Sequence, residues 1–307
     1  MPRPAPAWKE LEDHKVAERS DAPWQRVLRL SQALWREREH LPIGTKAEGQ
    51  ELGSRIAMPE AEQDLPNYLS GPIKRIVRET VQQAKAEDKL IQKPRIFNDL
   101  LSSQPLCFNL FGELKADLGL ATAWAQHLWP DRVQEVTRVE FEHSPGRRDP
   151  RYLGNRTAFD AYFEHTVPGG DKGFIGFEVK YHENLEVEPA KTGERVLAVA
   201  RDSGLFAEES LPELQAPPLQ QVWFDHLLAL SMLQADLAQW KGNGLFVFVH
   251  PVLNEACYRV IAAYERHLLR HRTFLRLSLE EAVAALRVVT GAPWVRAFEE
   301  RYLDCQW

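Results

Sequence analysis

Cysteine and methionine are scarce in this chain, with three of each in 307 residues. Cys107, Cys257 and Cys305 contain no CxxC pair, which supports neither a disulfide framework nor a structural zinc site. Cys107 sits in an apolar helical stretch and reads as a small core residue rather than a nucleophile. Long apolar runs are missing too, and with a mean hydropathy of −0.40 the sequence argues against a membrane span or membrane partner. An excess of basic residues is also absent: the formal net charge is −6, so a nucleic-acid-binding surface has to be local. Neither a P-loop nor a Rossmann glycine pattern occurs, which disfavours NTP-driven and dinucleotide chemistry. The opening residues, MPRPAPAWKELEDHK, carry neither a secretory h-region nor transit-peptide character, and the expectation is a cytoplasmic protein.

What is present is an ordinary globular composition, 44% hydrophobic and 27% charged, long enough for a sizeable core. Residues 1–100 are interrupted by prolines and read as a partly irregular helical arm, with one helix over 24–39 and an amphipathic one over 71–86 that carries Lys74, Arg75, Arg78 and Lys85 on its polar side. Residues 102–128 read as one or two buried helices. The period then changes from helical to two, giving strands over 136–143, 157–165 and 173–182. In each, hydrophobes alternate with acids: Val139 and Phe141 against Glu140 and Glu142, Phe159, Ala161 and Phe163 against Asp160 and Glu164, Ile175, Phe177 and Val179 against Glu178 and Lys180. VPGGDKG at 167–173 is a hairpin turn, so the second and third strands are expected to be antiparallel neighbours with coincident polar faces. A helix over 219–239, an apolar strand over 245–249 (LFVFV), a helix over 254–270, a short strand over 273–277 and two closing helices complete the order, the first of them opened by the capping box Ser278-Leu-Glu-Glu281.

Residues two apart on a strand project from one face, so Glu178 and Lys180 point the same way and the hairpin carries Asp160 towards them. Two carboxylates beside an ammonium suit a hard divalent cation such as Mg²⁺, which takes one or two carboxylates and keeps open positions for water and phosphate. A cation held this way activates water and neutralises phosphodiester charge, while a lysine orients the nucleophile. Phosphodiester hydrolysis is the matching chemistry.

Asp160 followed by Glu178-Val179-Lys180 resembles the PD-(D/E)XK nuclease superfamily, the restriction-endonuclease-like fold. SQPLCFNLFG at 103–112, FDAYFEH at 159–165 and GFEVKYHE at 176–183 are similar to a group of uncharacterised bacterial proteins described as restriction endonucleases, a similarity that carries no specific substrate. Phe159 stands where that superfamily often has proline.

The resemblance implies an α/β (α+β) fold, with a mixed central sheet of four or five strands flanked by helices and a helical N-terminal arm. The nuclease-like domain would run over 101–307, with its core at about 102–251 and C-terminal helices over 252–307. It implies a metal-dependent DNA nuclease of restriction, defence or repair, with Mg²⁺, or Mn²⁺ in its place, on Asp160 and Glu178 and Lys180 positioning water. Glu142 or Glu113 would add a further acid, with Glu142 preferred because it lies on the first strand's polar face beside Glu140, itself a candidate neighbour of the site, and Gln220 or Gln221 would supply a neighbouring glutamine. Arg147, Arg148, Arg151 and Arg156, between the first two strands, are candidates to contact nucleic acid, with a charged loop as the plain alternative. A second copy or a defence-complex subunit is the expected protein partner. The rival function is a catalytically silent nucleic-acid-binding or assembly subunit that keeps the fold.

Overall fold

The structure is a computed structural model that describes residues 5–304; Cys305 lies outside the described residues. Helix α1 (Pro23–Arg38) opens with proline in its first turn, where the missing N–H costs nothing, and buries Trp24, Val27, Leu28 and Trp35. The irregular arm turns out to hold a strand pair as well, β1 (Ile43–Thr45) antiparallel to β2 (Glu51–Ile56). Its turn closes through Lys46 N–H donating to the Gln50 carbonyl at 2.8 Å, with Gly49 at φ 82°. Leu52, Gly53, Ser54 and Ile56 are the buried positions of β2, and the alternation of Leu52, Ser54 and Ile56 is too short to stand out against the surrounding prolines. Helix α2 (Gly71–Gln83) is capped by Ser70, whose hydroxyl accepts from Ile73 N.

Next come α3 (Ser103–Ala116) and α4 (Leu118–Leu128), broken at Asp117, which closes the first helix and caps the second by accepting from Leu120 N at 3.0 Å. The central sheet has the order β3 (Glu135–His143), β4 (Phe159–Thr166), β5 (Lys172–Val179), β6 (Gly244–His250), β7 (Phe274–Ser278). β3, β4 and β5 form an antiparallel meander; β5, β6 and β7 are parallel. The hairpin expected at 167–173 closes through Val167 N–H to the Asp171 carbonyl at 2.8 Å, with Gly169 and Gly170 both at positive φ. Between β5 and β6 lie α5 (Glu194–Ser203) and α6 (Gln220–Ala235); α7 (Glu255–Glu265) precedes β7, and α8 (Leu279–Val289) and α9 (Pro293–Tyr302) close the chain. This mixed five-strand sheet flanked by helices is the restriction-endonuclease-like architecture that the element order implied.

Both faces of the sheet are covered. One packs against α3, α4 and the C-terminal helices through Phe111, Trp124, Phe163 and Phe177, and the α1, β2 and α2 side chains join that same core. The other packs against α5, α6 and α7 through Tyr162, Phe174, Trp223 and Phe246. The face of β5 that carries Glu178 is covered as well: all but the first residue of β5 are buried, and the strand meets a cleft at the Glu178 end. Phe159 is a correction to the expected alternation. It leaves the face of Ala161 and Phe163 and joins Tyr162 and Phe246 on the other side, because Gly176 has no side chain to block it. A Cβ at Gly176 would lie 2.4 Å from the Phe159 ring.

Candidate active site

At the carboxyl end of β5 the chain opens a cleft of about 660 Å³, walled by β4 and β5, by the start of α3, by α6 and by residues of the N-terminal segment including Gln25, Gln92 and Arg95. Asp160, the second residue of β4, reaches across the hairpin so that its Oδ2 accepts from Val179 N–H at 2.8 Å. Glu178 is the next-to-last residue of β5. Lys180 prolongs the parallel ladder past the strand by donating its N–H to the Val249 carbonyl at 2.8 Å, and its Nζ donates to Glu178 Oε1. Glu178 and Lys180 are both buried.

Glu142 also lines the cleft, unlike Glu113 and Glu140. Its backbone is left-handed (φ 51°), a break near the end of β3 that turns the side chain towards Asp160 rather than along Glu140. Gln104 Nε2 donates to Glu142 Oε1 at 2.6 Å, and the Arg147 guanidinium lies 3.7 Å from Oε2. Glu140 faces an adjoining groove instead, paired with Lys115 at 2.9 Å and Arg138 at 3.3 Å. Of the two glutamines, Gln221 enters the cleft and donates to Glu178 Oε1 at 2.9 Å. Gln220 also borders it but is tied to the Ala190 and Gln215 backbone, a loop clamp. The four arginines are not brought together as one patch: Arg156 lines the cleft mouth and pairs with Asp88 at 2.9 Å, Arg147 is engaged with Glu142, Arg151 is folded onto Asp149, and Arg148 lies off the cleft. Of the strand-end histidines only His182 borders the cleft; His143 stacks on Tyr162 at 4.0 Å, and His165 and His250 bond neighbouring backbone carbonyls.

Two acids went unnoticed in the sequence. Glu183, at the end of the EVKYHE run, accepts from Ser103 N at 3.1 Å and Tyr181 N at 2.9 Å, pinning the start of α3 to the segment just after β5. Asp225 lies on α6 four residues after Gln221, so one helical face carries both into the cleft. The signal was a polar pair at helical spacing inside the otherwise apolar run VWF-HLLALSML.

The electrostatics are those of crowded acids. Burial, and then the neighbouring Glu178, push the Asp160 carboxyl well above the usual carboxylate range; Asp225 is raised for the same two reasons. Burial raises Glu142 to about 7 against the pull of Gln104 and Arg147. Burial disfavours the Lys180 ammonium, but Glu178, Asp160 and Glu183 outweigh it and its pKa is raised. Carboxyls forced together in this way favour a positive charge among them. Among the described residues no three His, Cys, Asp or Glu side chains close round a metal position. The Asp160 and Glu178 carboxylates are hard oxygen donors of the kind that suit a divalent cation.

A mixed sheet whose antiparallel hairpin presents an aspartate beside Glu-x-Lys at the sheet's carboxyl end defines a restriction-endonuclease-like protein. The chain belongs to the PD-(D/E)XK nuclease superfamily, whose family model matches residues 19–304. No curated protein and no solved structure matches the chain significantly.

Proposed function

We propose that this protein is a divalent-metal-dependent nuclease that hydrolyses phosphodiester bonds of DNA. The observation that carries the reading is the convergence of Asp160, Glu178 and Glu142 with Lys180 in one open cleft at the carboxyl end of β5. Asp160 and Glu178 would hold the ion, Mg²⁺ or Mn²⁺ in its place, which when bound supplies Lewis-acid stabilisation of charge on the scissile phosphate and a more acidic water. Val179 N–H and Gln221 Nε2 orient the two carboxylates through 2.8 and 2.9 Å hydrogen bonds. Lys180 donates to the attacking water and to the charge that develops on phosphate oxygen. Glu142, held by Gln104 and close to Arg147, completes the acidic wall. Arg156 and Arg95 at the cleft rim supply phosphate contacts, so the N-terminal segment takes part in binding. One such site cuts one strand, so breaking both strands calls for a second copy or a partner subunit.

Incubation with DNA and RNA substrates in Mg²⁺, Mn²⁺ or EDTA tests the reading. The expected result is metal-dependent DNA cleavage that falls by roughly 10²–10³-fold in Lys180→Ala and vanishes in Asp160→Ala. Cleavage indifferent to Lys180→Ala would overturn it. Salt-sensitive binding with no cleavage and no metal dependence would establish the silent binding subunit instead.

A further inference from the structure

Asp225 is a buried carboxylate, 6% exposed, whose Oδ2 has no hydrogen-bond partner and whose side chain lines the cleft. A structural buried aspartate is held by donors, as Asp21 is held by the Arg29 guanidinium, with Nη2 3.0 Å from Oδ1. Asp225 has no such partner among the described residues. Its helix-face neighbour Gln221 donates to Glu178 Oε1 instead, and so does the Lys180 ammonium. Those two donors fix Glu178 while leaving Glu178 Oε2 and Asp160 Oδ1 without a hydrogen-bond donor among the described residues. The cleft end thus gathers carboxylate oxygens from three elements, β4, β5 and α6, and supplies fewer donors than they can accept.

We propose that Asp225 is a third acid of the cation site, acting at one water's remove from the ion that Asp160 and Glu178 hold. A hydrated Mg²⁺ presents water hydrogens rather than the ion itself to an outer carboxylate, so Asp225 need not close a cage with Asp160 and Glu178. Asp225 is therefore a positioning residue: it raises cation affinity and orients the hydration shell without touching the scissile phosphate. Its position on α6, four residues after Gln221, makes that helix contribute to the cation site as well as to the core.

The inference rests on the proposed metal site, and the experiment separates the two. Mn²⁺ binding to the full chain is followed by electron paramagnetic resonance, with the Mn²⁺-induced rise in Tm measured alongside, for the wild-type protein, Asp225→Asn, and Glu209→Gln as a surface-acid control. The expected result is a Kd at least tenfold weaker for Asp225→Asn, consistent with the 10–100-fold that outer-shell partners of metal sites contribute, a reduced Tm rise, and no change for Glu209→Gln. Asparagine is close in size, so a folded Asp225→Asn with unchanged Mn²⁺ affinity overturns this inference and leaves the metal site standing. Should Asp225→Asn not fold, Asp225→Glu replaces it: the displaced carboxylate is expected to alter the Mn²⁺ affinity, and an unchanged affinity again overturns the inference. If the wild-type protein binds no Mn²⁺, the nuclease reading and this inference fall together.

Discussion

Phe159 and Gly176 show how one side chain sets the geometry beside the aspartate of the candidate site. The ring occupies the space that any Cβ at Gly176 would take, 2.4 Å from its carbons, while stacking towards Tyr162 and Phe246. An aromatic residue thus stands at the position before Asp160, where the superfamily often has proline. Gly176→Ala is expected to destabilise the fold by roughly 1–3 kcal/mol through overpacking. Combining it with Phe159→Ala is expected to cost less than the sum of the two single changes, because the truncated ring vacates the contested space. Urea denaturation of the three variants measures both. Asp21 offers a second residue-scale prediction. Burial works against its charge, but the nearby His182 ring, with Nε2 3.6 Å from Oδ2, and hydrogen bonds from Arg29 hold the carboxyl at about 2, below its unfolded value of 3.8. A depressed folded pKa means stability that is present above about pH 4 and lost as the pH falls towards 2. The wild-type protein is therefore expected to exceed Asp21→Asn by about 2 kcal/mol at neutral pH, with the gap closing under acid, read from urea titrations across that range.

At the scale of elements, the meander was legible because β3, β4 and β5 alternate with period two and the VPGGDKG turn fixes their pairing, so Asp160, Glu178 and Lys180 could be brought together from spacing alone. The faces were less legible. Alternation puts Glu140 and Glu142 side by side, but the left-handed backbone at Glu142 turns it into the cleft and leaves Glu140 with Lys115 and Arg138. Asp225 escaped notice because a buried acid in an apolar helix acquires meaning only once the helix is docked over the strand end. The arginine loop left two readings open, nucleic-acid contact or a charged loop, and each side chain is committed by a different local partner or points elsewhere. A prediction follows from that division. Arg156→Ala, at the cleft mouth, is expected to weaken DNA binding and lower the salt-dependence slope by about 1, whereas Arg151→Ala, off the cleft, is expected to leave both unchanged. Fluorescence anisotropy over a salt series distinguishes them.

On the scale of the whole molecule, the N-terminal segment is bound to the chain just after β5 by polar groups that cannot be satisfied separately. Arg301, 1% exposed on α9, donates to Gln32 Oε1 at 3.1 Å on α1 and to the Asn67 carbonyl at 2.7 Å, and its guanidinium lies 3.9 Å from the Trp35 ring centroid. Gln32 in turn donates to the hydroxyl of Tyr181, the residue after Lys180, at 3.0 Å. Asn254, before α7, donates to the Tyr181 and Glu183 carbonyls at 3.0 Å. The backbone that carries Lys180 is thus fixed from both ends of the chain. Removing residues 1–100 would strip Gln32, Asn67 and Trp35 from a buried cation and expose the α1 and α2 faces of the main core. A buried charge left without partners costs roughly 3–5 kcal/mol, a large part of a typical domain's stability of about 5–15 kcal/mol, before the lost apolar burial is counted. Residues 101–307 alone are therefore expected to lack a cooperative unfolding transition and a near-ultraviolet circular dichroism signal. In the full chain, Arg301→Ala is expected to unfold at markedly lower urea in a single transition. A fragment 101–307 that unfolds cooperatively would show instead that the arm is an appendage, and would move the determinants of the Lys180 backbone into the sheet and its C-terminal helices.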